Sequence, residues 1–175
     1  MADPVSEFER YRDELMAMLG DREPLAVLQA SLDEVTGVVE AAGPERLGRT
    51  HGPGEWSPQQ VLNHLADSDL VAATRIRMIL TQARPLIVGY DQDAWTARFG
   101  GLDASPAETL ARWRVLRQTN LRLFRSLSAA EWERIGLHSE RGEESVRLLV
   151  ELLAGHDLIH LAQLRRGLET PAPAR

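Results

Sequence analysis

The chain has 175 residues, which is one domain's length on the usual scale of ~100–200 residues per domain. With 43% hydrophobic and 26% charged residues, its composition is that of a globular protein and not of a disordered one. It has neither cysteine nor lysine, which excludes disulfides, thiolate metal sites, a cysteine nucleophile, lysine Schiff bases and a P-loop lysine. The net charge of −6 disfavours general nucleic-acid binding.

The start of the chain does not read as a signal peptide, because Asp3, Glu7, Glu9, Asp13 and Glu14 stand where an apolar run would be needed. No apolar run approaches the ~20 residues of a membrane span. The expectation is a cytoplasmic protein that does not enter membranes.

The pattern is helical almost throughout. Asp3 as N-cap and Pro4 at the first helical position predict a helix over about Pro4–Leu19, ended by Gly20. Leu25, Leu28, Leu32, Val35 and Val39 form one apolar stripe on a second helix, about Arg22–Ala42, stopped by Gly43-Pro44. The first piece either continues into the second through a kink or stands apart from it. A glycine-rich loop, Glu45–Trp56, leads to a sharp helix start at Ser57-Pro58-Gln59-Gln60. Ser57 and Gln60 there form a capping box, and Trp56 can staple to Val61. This helix runs to about Gln82. Ala83–Gly101 is a long connection with a short helix around Asp91–Phe99. Ser105 and Glu108 repeat the capping box and open a helix to about Leu127. Ser128 and Glu131 start a short helix, residues 134–145 form a polar connection, and a last helix covers about Glu143–Arg166, with Gly167 after it. The reading is a single all-α domain over 1–175: an up-down four-helix bundle with a long crossover connection, its core about 22–167 and a frayed tail at 168–175.

Five histidines carry the candidate chemistry. His156 and His160 are four residues apart, one turn on one helix face, and they continue the stripe of Leu149, Leu152 and Leu153 inward. Two inward imidazoles need partners in a core, and at this spacing they can share one metal ion. The glutamate of an HExxH helix is missing, so a zincin reading is poor. His64 sits on the apolar face of the third long helix, where a buried hydrogen bond to another helix is the competing reading. A trio of His64, His156 and His160 would be a three-nitrogen metal site with open positions for water or substrate.

The stretch Glu55-Trp56-Ser57-Pro58 through His64-Leu65-Ala66-Asp67, the later His156-Asp157-Leu158-Ile159-His160-Leu161-Ala162-Gln163, and Tyr90-Asp91-Gln92-Asp93-Ala94-Trp95 resemble the DinB-like superfamily, and within it the YfiT/bacillithiol-transferase branch. The likeness spans about Leu25–Gly167. It implies a DinB/YfiT-like four-helix bundle, often dimeric, holding one divalent metal ion on His64, His156 and His160. The ion would be nickel or zinc, with iron or manganese as alternatives. It implies no DNA binding.

The residues around this trio carry further expectations. Asp67 and Gln163, each three residues beyond a proposed ligand, could orient an imidazole, and Asp67 is the obvious general base for a hydrolase. Asp157 should point about 100° away from His156. Tyr90, Asp91 and Trp95 could line a pocket mouth. His51 lies in a glycine-rich loop. His138 and the arginines Arg112, Arg114, Arg117, Arg122 and Arg125 read as solvated surface. The expected activity is a metal-dependent thiol S-transferase in detoxification or stress response, taking a small-molecule thiol (bacillithiol, mycothiol or glutathione) and an electrophile. The missing cysteine agrees, since the nucleophile would come from the cosubstrate. The alternatives are a hydrolase at the same three-histidine site, and a non-catalytic bundle that binds a metal or small ligand.

Overall fold

The computed structural model describes residues 4–50, 52, 54–100 and 105–169. Asp3, His51 and the tail from Thr170 lie outside the described residues. The elements in chain order are α1 (Pro4–Leu19), α2 (Pro24–Ala42), α3 (Pro44–Leu47), α4 (Pro58–Thr81), β1 (Leu86–Ile87), α5 (Gln92–Phe99), α6 (Pro106–Ser126), α7 (Ala129–Trp132), β2 (Ile135–His138), β3 (Gly142–Ser145) and α8 (Val146–Glu169).

Proline opens α2, α3, α4 and α6, where its absent N–H leaves no hydrogen bond unmade. At α4 the Gln60 N–H donates to Ser57 Oγ (3.2 Å), and the Ser57 N–H donates to Gln60 Oε1 (2.8 Å). The reciprocal pair forms again at Ser128 and Glu131. At Ser105 only the forward bond, from the Glu108 N–H, is present among the described residues. Trp56 and Val61 pack into one apolar cluster, as the staple requires.

The bundle is α2, α4, α6 and α8. Both α6 and α8 pack on α2 and on α4, so α2 and α4 stand on one diagonal, and α1 packs separately against α8. Gly20, at φ +58°, ends α1 and keeps it apart from α2. Gly155 permits the close approach of α1 to α8, because a Cβ there would collide with the Leu15 carbonyl. Two apolar clusters fill the interior. One holds Leu28, Ala72, Leu121 and Ala154, and the other holds Leu32, Leu65, Trp113 and Leu161.

The 134–145 connection differs from the sequence expectation. It is a β2–β3 hairpin, with β1 added in parallel to β2 to give the order β1-β2-β3. Strands of two to four residues carry too little alternation to be read from sequence. Pairing of Gly142–Ser145 delays the last helix, which begins at Val146 and not at Glu143. The helix also runs through Gly167 to Glu169. The hairpin carries His138 inward, where only 5% of it is exposed; the expectation of a solvated His138 is wrong. No helix among the described residues is long and apolar enough to cross a membrane.

Candidate metal centre

His64 comes from the middle of α4, and His156 and His160 come from successive turns of α8. Their ligand nitrogens all lie within 4.8 Å of one another, and these three residues form the cluster of potential ligands. His64 and His160 are buried and His156 is half-buried. His64 Nε2 lies 2.8 Å from His156 Nε2, a contact whose donor depends on the tautomer and which a shared ion would replace. Burial, followed by the neighbouring His160, lowers the His64 pKa to about 3. Burial lowers His160 to about 4 against the opposing bond to Gln163. His156 is pushed well below the usual imidazole value, first by burial and then by the other two histidines and Arg117. All three are therefore neutral at neutral pH, the form that binds metal.

The donor set fits a divalent ion. His160 Nδ1–H donates to Gln163 Oε1 (2.7 Å), which fixes the tautomer and leaves the Nε2 lone pair free. His156 Nδ1 is buried with no hydrogen-bond partner among the described residues. Trp56 walls the cluster, its ring centroid 4.9 Å from that of His64 and 6.2 Å, near-parallel, from that of His160. The sequence reading gave Trp56 only its staple; its spacing carried no signal of this second role.

Two cavities reach the cluster. One, of about 200 Å³, is lined by His156, Ser68, Leu152, Arg75, Tyr90 and His138. The other, of about 580 Å³, is lined by His160, Gln163, Trp56, Glu55 and Asp93. Gln92 of α5 lines both.

Other candidates fall elsewhere. Asp67 accepts from Arg112 Nη1 (2.8 Å) and lines neither cavity. Tyr90 does line the first. Asp91 instead caps α5 by accepting from the Ala94 N–H (2.9 Å), and Trp95 packs between Tyr90 and Phe99. Arg117 is not solvated: it is fully buried between Asp69 of α4 and Asp157 of α8. Asp157 does turn away from its histidine neighbour, and Arg117 is what it meets.

Comparisons with known proteins place the fold. Residues 28–164 match the model of the DinB superfamily. A protein of Oceanobacillus iheyensis, OB0782, provisionally named a metal-dependent hydrolase, is 31% identical over 120 residues, covering 69% of each chain. YfiT of Bacillus subtilis, with the same provisional name, is 27% identical over 146 residues, 81% of this chain and 82% of its own. The solved YfiT structure, described as a probable metal-dependent hydrolase with an unusual four-helix bundle topology, superposes with a TM-score of 0.73 at 26% identity, covering 82% of this chain and 84% of that one. The family match over most of the chain, with the shared fold, makes the chain a member of the DinB superfamily.

Proposed function

We propose that this protein is a divalent-metal-dependent thiol S-transferase, with His64, His156 and His160 holding nickel or zinc. The observation that carries the reading is the donor set itself: three neutral imidazoles between two cavities, with Asp67, the expected base, held by Arg112. A bound divalent ion would act as a Lewis acid, lowering the pKa of a thiol or water placed on it. A thiol already ionises near pH 8.5, whereas water does so near 15.7, so a thiol needs no nearby carboxylate to become a nucleophile.

The chain's own residues do the rest. Gln163 keeps the His160 Nε2 lone pair directed away from its own amide. Trp56 covers two imidazoles and keeps bulk water from them. The two cavities give separate places for thiol and electrophile. The thiol proton leaves to solvent, the sulfur electron pair forms the new S–C bond, and the leaving group departs with its own pair.

A hydrolase is the second reading. It is favoured by Glu55 and Asp93, which line the His160 cavity and could take a proton from water. The test is turnover of monochlorobimane with bacillithiol, mycothiol and glutathione, by metal-loaded protein and its His160→Ala variant. Metal-dependent conjugation lost in the variant supports the transferase. Turnover of esters or amides without thiol supports the hydrolase. A filled site with neither activity supports a binding bundle.

A further inference from the structure

The smaller cavity has a polar end whose hydrogen bonding is incomplete. His138 Nδ1 accepts from the Glu140 backbone N–H (3.2 Å). A neutral imidazole whose Nδ1 lone pair is used in this way carries its proton on Nε2. Burial, then Arg141 and Arg75, lowers the His138 pKa to about 4, so the ring is neutral at neutral pH. His138 Nε2 faces Arg75 Nη2 at 3.5 Å. With Nε2 protonated both atoms are donors, and a group with a lone pair placed against both would satisfy them.

Arg75 is short of partners in a second way. Its Nη2 donates to the Val88 carbonyl (2.9 Å), but its Nε is buried with no partner among the described residues. Arg141, in the same cavity wall, is paired with buried Glu144 (2.8 Å). No carboxylate among the described residues makes such a pair with Arg75. Glu140 lines the cavity too, lying over Gly89. Burial, and then Arg141, lowers the Arg75 pKa against the opposing pull of Glu144, Tyr90 and Glu140.

We propose that this end of the cavity binds a carboxylate of the substrate, its oxygens taking the His138 Nε2–H and the free Arg75 N–H groups. The apolar wall of Leu149, Leu152 and Leu153 then carries the substrate's carbon chain toward His156. At about 200 Å³ the space admits a short acidic arm, below the roughly 300–1,000 Å³ of drug-sized sites. The assignment of a carboxylate stands on Arg75 and His138; only the view that the same molecule presents a thiol at His156 rests on the transferase reading.

The test uses Co²⁺-loaded protein and three probes: 3-mercaptopropionate, 2-mercaptoethanol and propionate. Sulfur ligation is read from the thiolate-to-cobalt absorption, and propionate binding by calorimetry. Variants are Arg75→Gln and His138→Gln, with exposed Arg77→Gln as control, and cobalt stoichiometry and melting are checked for each. The expected result is that 3-mercaptopropionate binds at least about tenfold tighter than 2-mercaptoethanol, and that the gap closes in Arg75→Gln but not in Arg77→Gln. Equal affinities for the two thiols, or a gap that persists in both Arg75→Gln and His138→Gln, overturn the carboxylate site and leave the thiol reading standing. Arg75-dependent propionate binding with no sulfur absorption supports the site and removes the thiol reading. No binding of any probe overturns both. Should one variant fail to fold, the wild-type comparison of the two thiols and the other variant still decide.

Discussion

Two polar clusters interrupt the apolar interior of this bundle, and they are built on opposite terms. The first centres on Arg117, and all five of its N–H groups find acceptors. Nε donates to Asp69 (3.0 Å to Oδ2), Nη2 to Asp69 (2.7 Å) and Asp157 (3.0 Å), and Nη1 to Asp157 and the Leu28 carbonyl (2.9 Å). Trp113 Nε1 (2.6 Å) and Asn120 Nδ2 (2.9 Å) also donate to the Asp69 carboxylate. The cluster draws on α2, α4, α6 and α8 and sits at the level that separates the two apolar clusters. Burial opposes the Arg117 charge, but Asp157 and then Asp69 outweigh it and raise its pKa. Burial pushes the Asp157 carboxyl up to about 6, which leaves it ionised at neutral pH. The second cluster, the histidine trio, joins only α4 and α8 and keeps an unpartnered nitrogen. The Arg117 guanidinium, with every N–H paired, ties the helices together, although Asn120 Oδ1 beside it has no partner among the described residues; the trio instead gathers three potential ligand nitrogens at one point. The tie also serves the site, since Asp69 lies five residues beyond His64 and Asp157 is next to His156.

The comparison breaks first at Arg117. Arg117→Ala leaves two buried carboxylates facing each other, and removing one partner of a buried ionic network costs about 3–5 kcal/mol. For a chain of this size that is a melting-temperature loss of about 6–20 °C, read by circular dichroism with or without metal. Next in size is the metal itself. One divalent ion per chain is expected, and His156→Ala or His160→Ala should abolish its binding. At a metal concentration 1,000 times Kd the parent gains about 4 kcal/mol that these variants do not. Melted without metal, the same variants should lose less than Arg117→Ala does, because each removes at most one hydrogen bond of the trio. His51→Ala and His138→Ala should keep the ion. Metal loss in either control, or parent-like binding by a His156→Ala/His160→Ala double variant, puts the site elsewhere.

How much of this was legible in the sequence follows from the range of the forces involved. The long helices were, because caps such as Ser57 with Gln60 and stripes such as Leu28, Leu32 and Val35 are local signals. The metal ligands were legible in part, since His156 and His160 share a face by spacing alone, whereas His64, on the apolar face of another helix, could equally have been a buried hydrogen bond until the resemblance to a family favoured the trio. The hairpin was not, because its short strands are held by partners far along the chain: Leu86 pairs with Leu137, and Gly136 is required by the side chain of Ile87. Arg117 was misread for the same reason. Five arginines on one helix look alike until the carboxylates of two other helices select one of them.

Acid sharpens the contrast between the clusters. In the metal-free chain His64, His160 and His138 have folded pKa values of about 3, 4 and 4, below the unfolded value near 6.5. The unfolded chain therefore binds more protons, so stability is kept above about pH 6.5 and lost as pH falls toward 4 and below. Chemical denaturation between pH 7 and 4 should show that decline, and a His64→Ala/His160→Ala chain should show a shallower one. A slope unchanged by the double substitution would mean that the trio is protonated, and hence solvated, in the folded state. Asp157 acts with the opposite sign. Its folded pKa near 6 lies above the ordinary carboxylate value, so between those two pH values it opposes the decline.

The smallest expected effect is at Gln163, and it separates a ligand from the residue that orients it. Gln163 Oε1 accepts from His160 Nδ1–H at 2.7 Å, and that bond is what directs the Nε2 lone pair toward the other two imidazoles. Gln163→Leu keeps the side chain's bulk and removes the acceptor. The ring can then adopt the other tautomer or turn, and loss of such an outer partner typically weakens metal binding by about 10–100-fold without abolishing it. The variant should still bind one ion per chain in a competition titration against a chelator, with its melting temperature without metal near that of the parent. Gln163→Glu should restore or exceed the parent affinity, because a carboxylate accepts the same bond more strongly. Affinity unchanged in Gln163→Leu would show that packing against Trp56 alone holds the His160 ring in place.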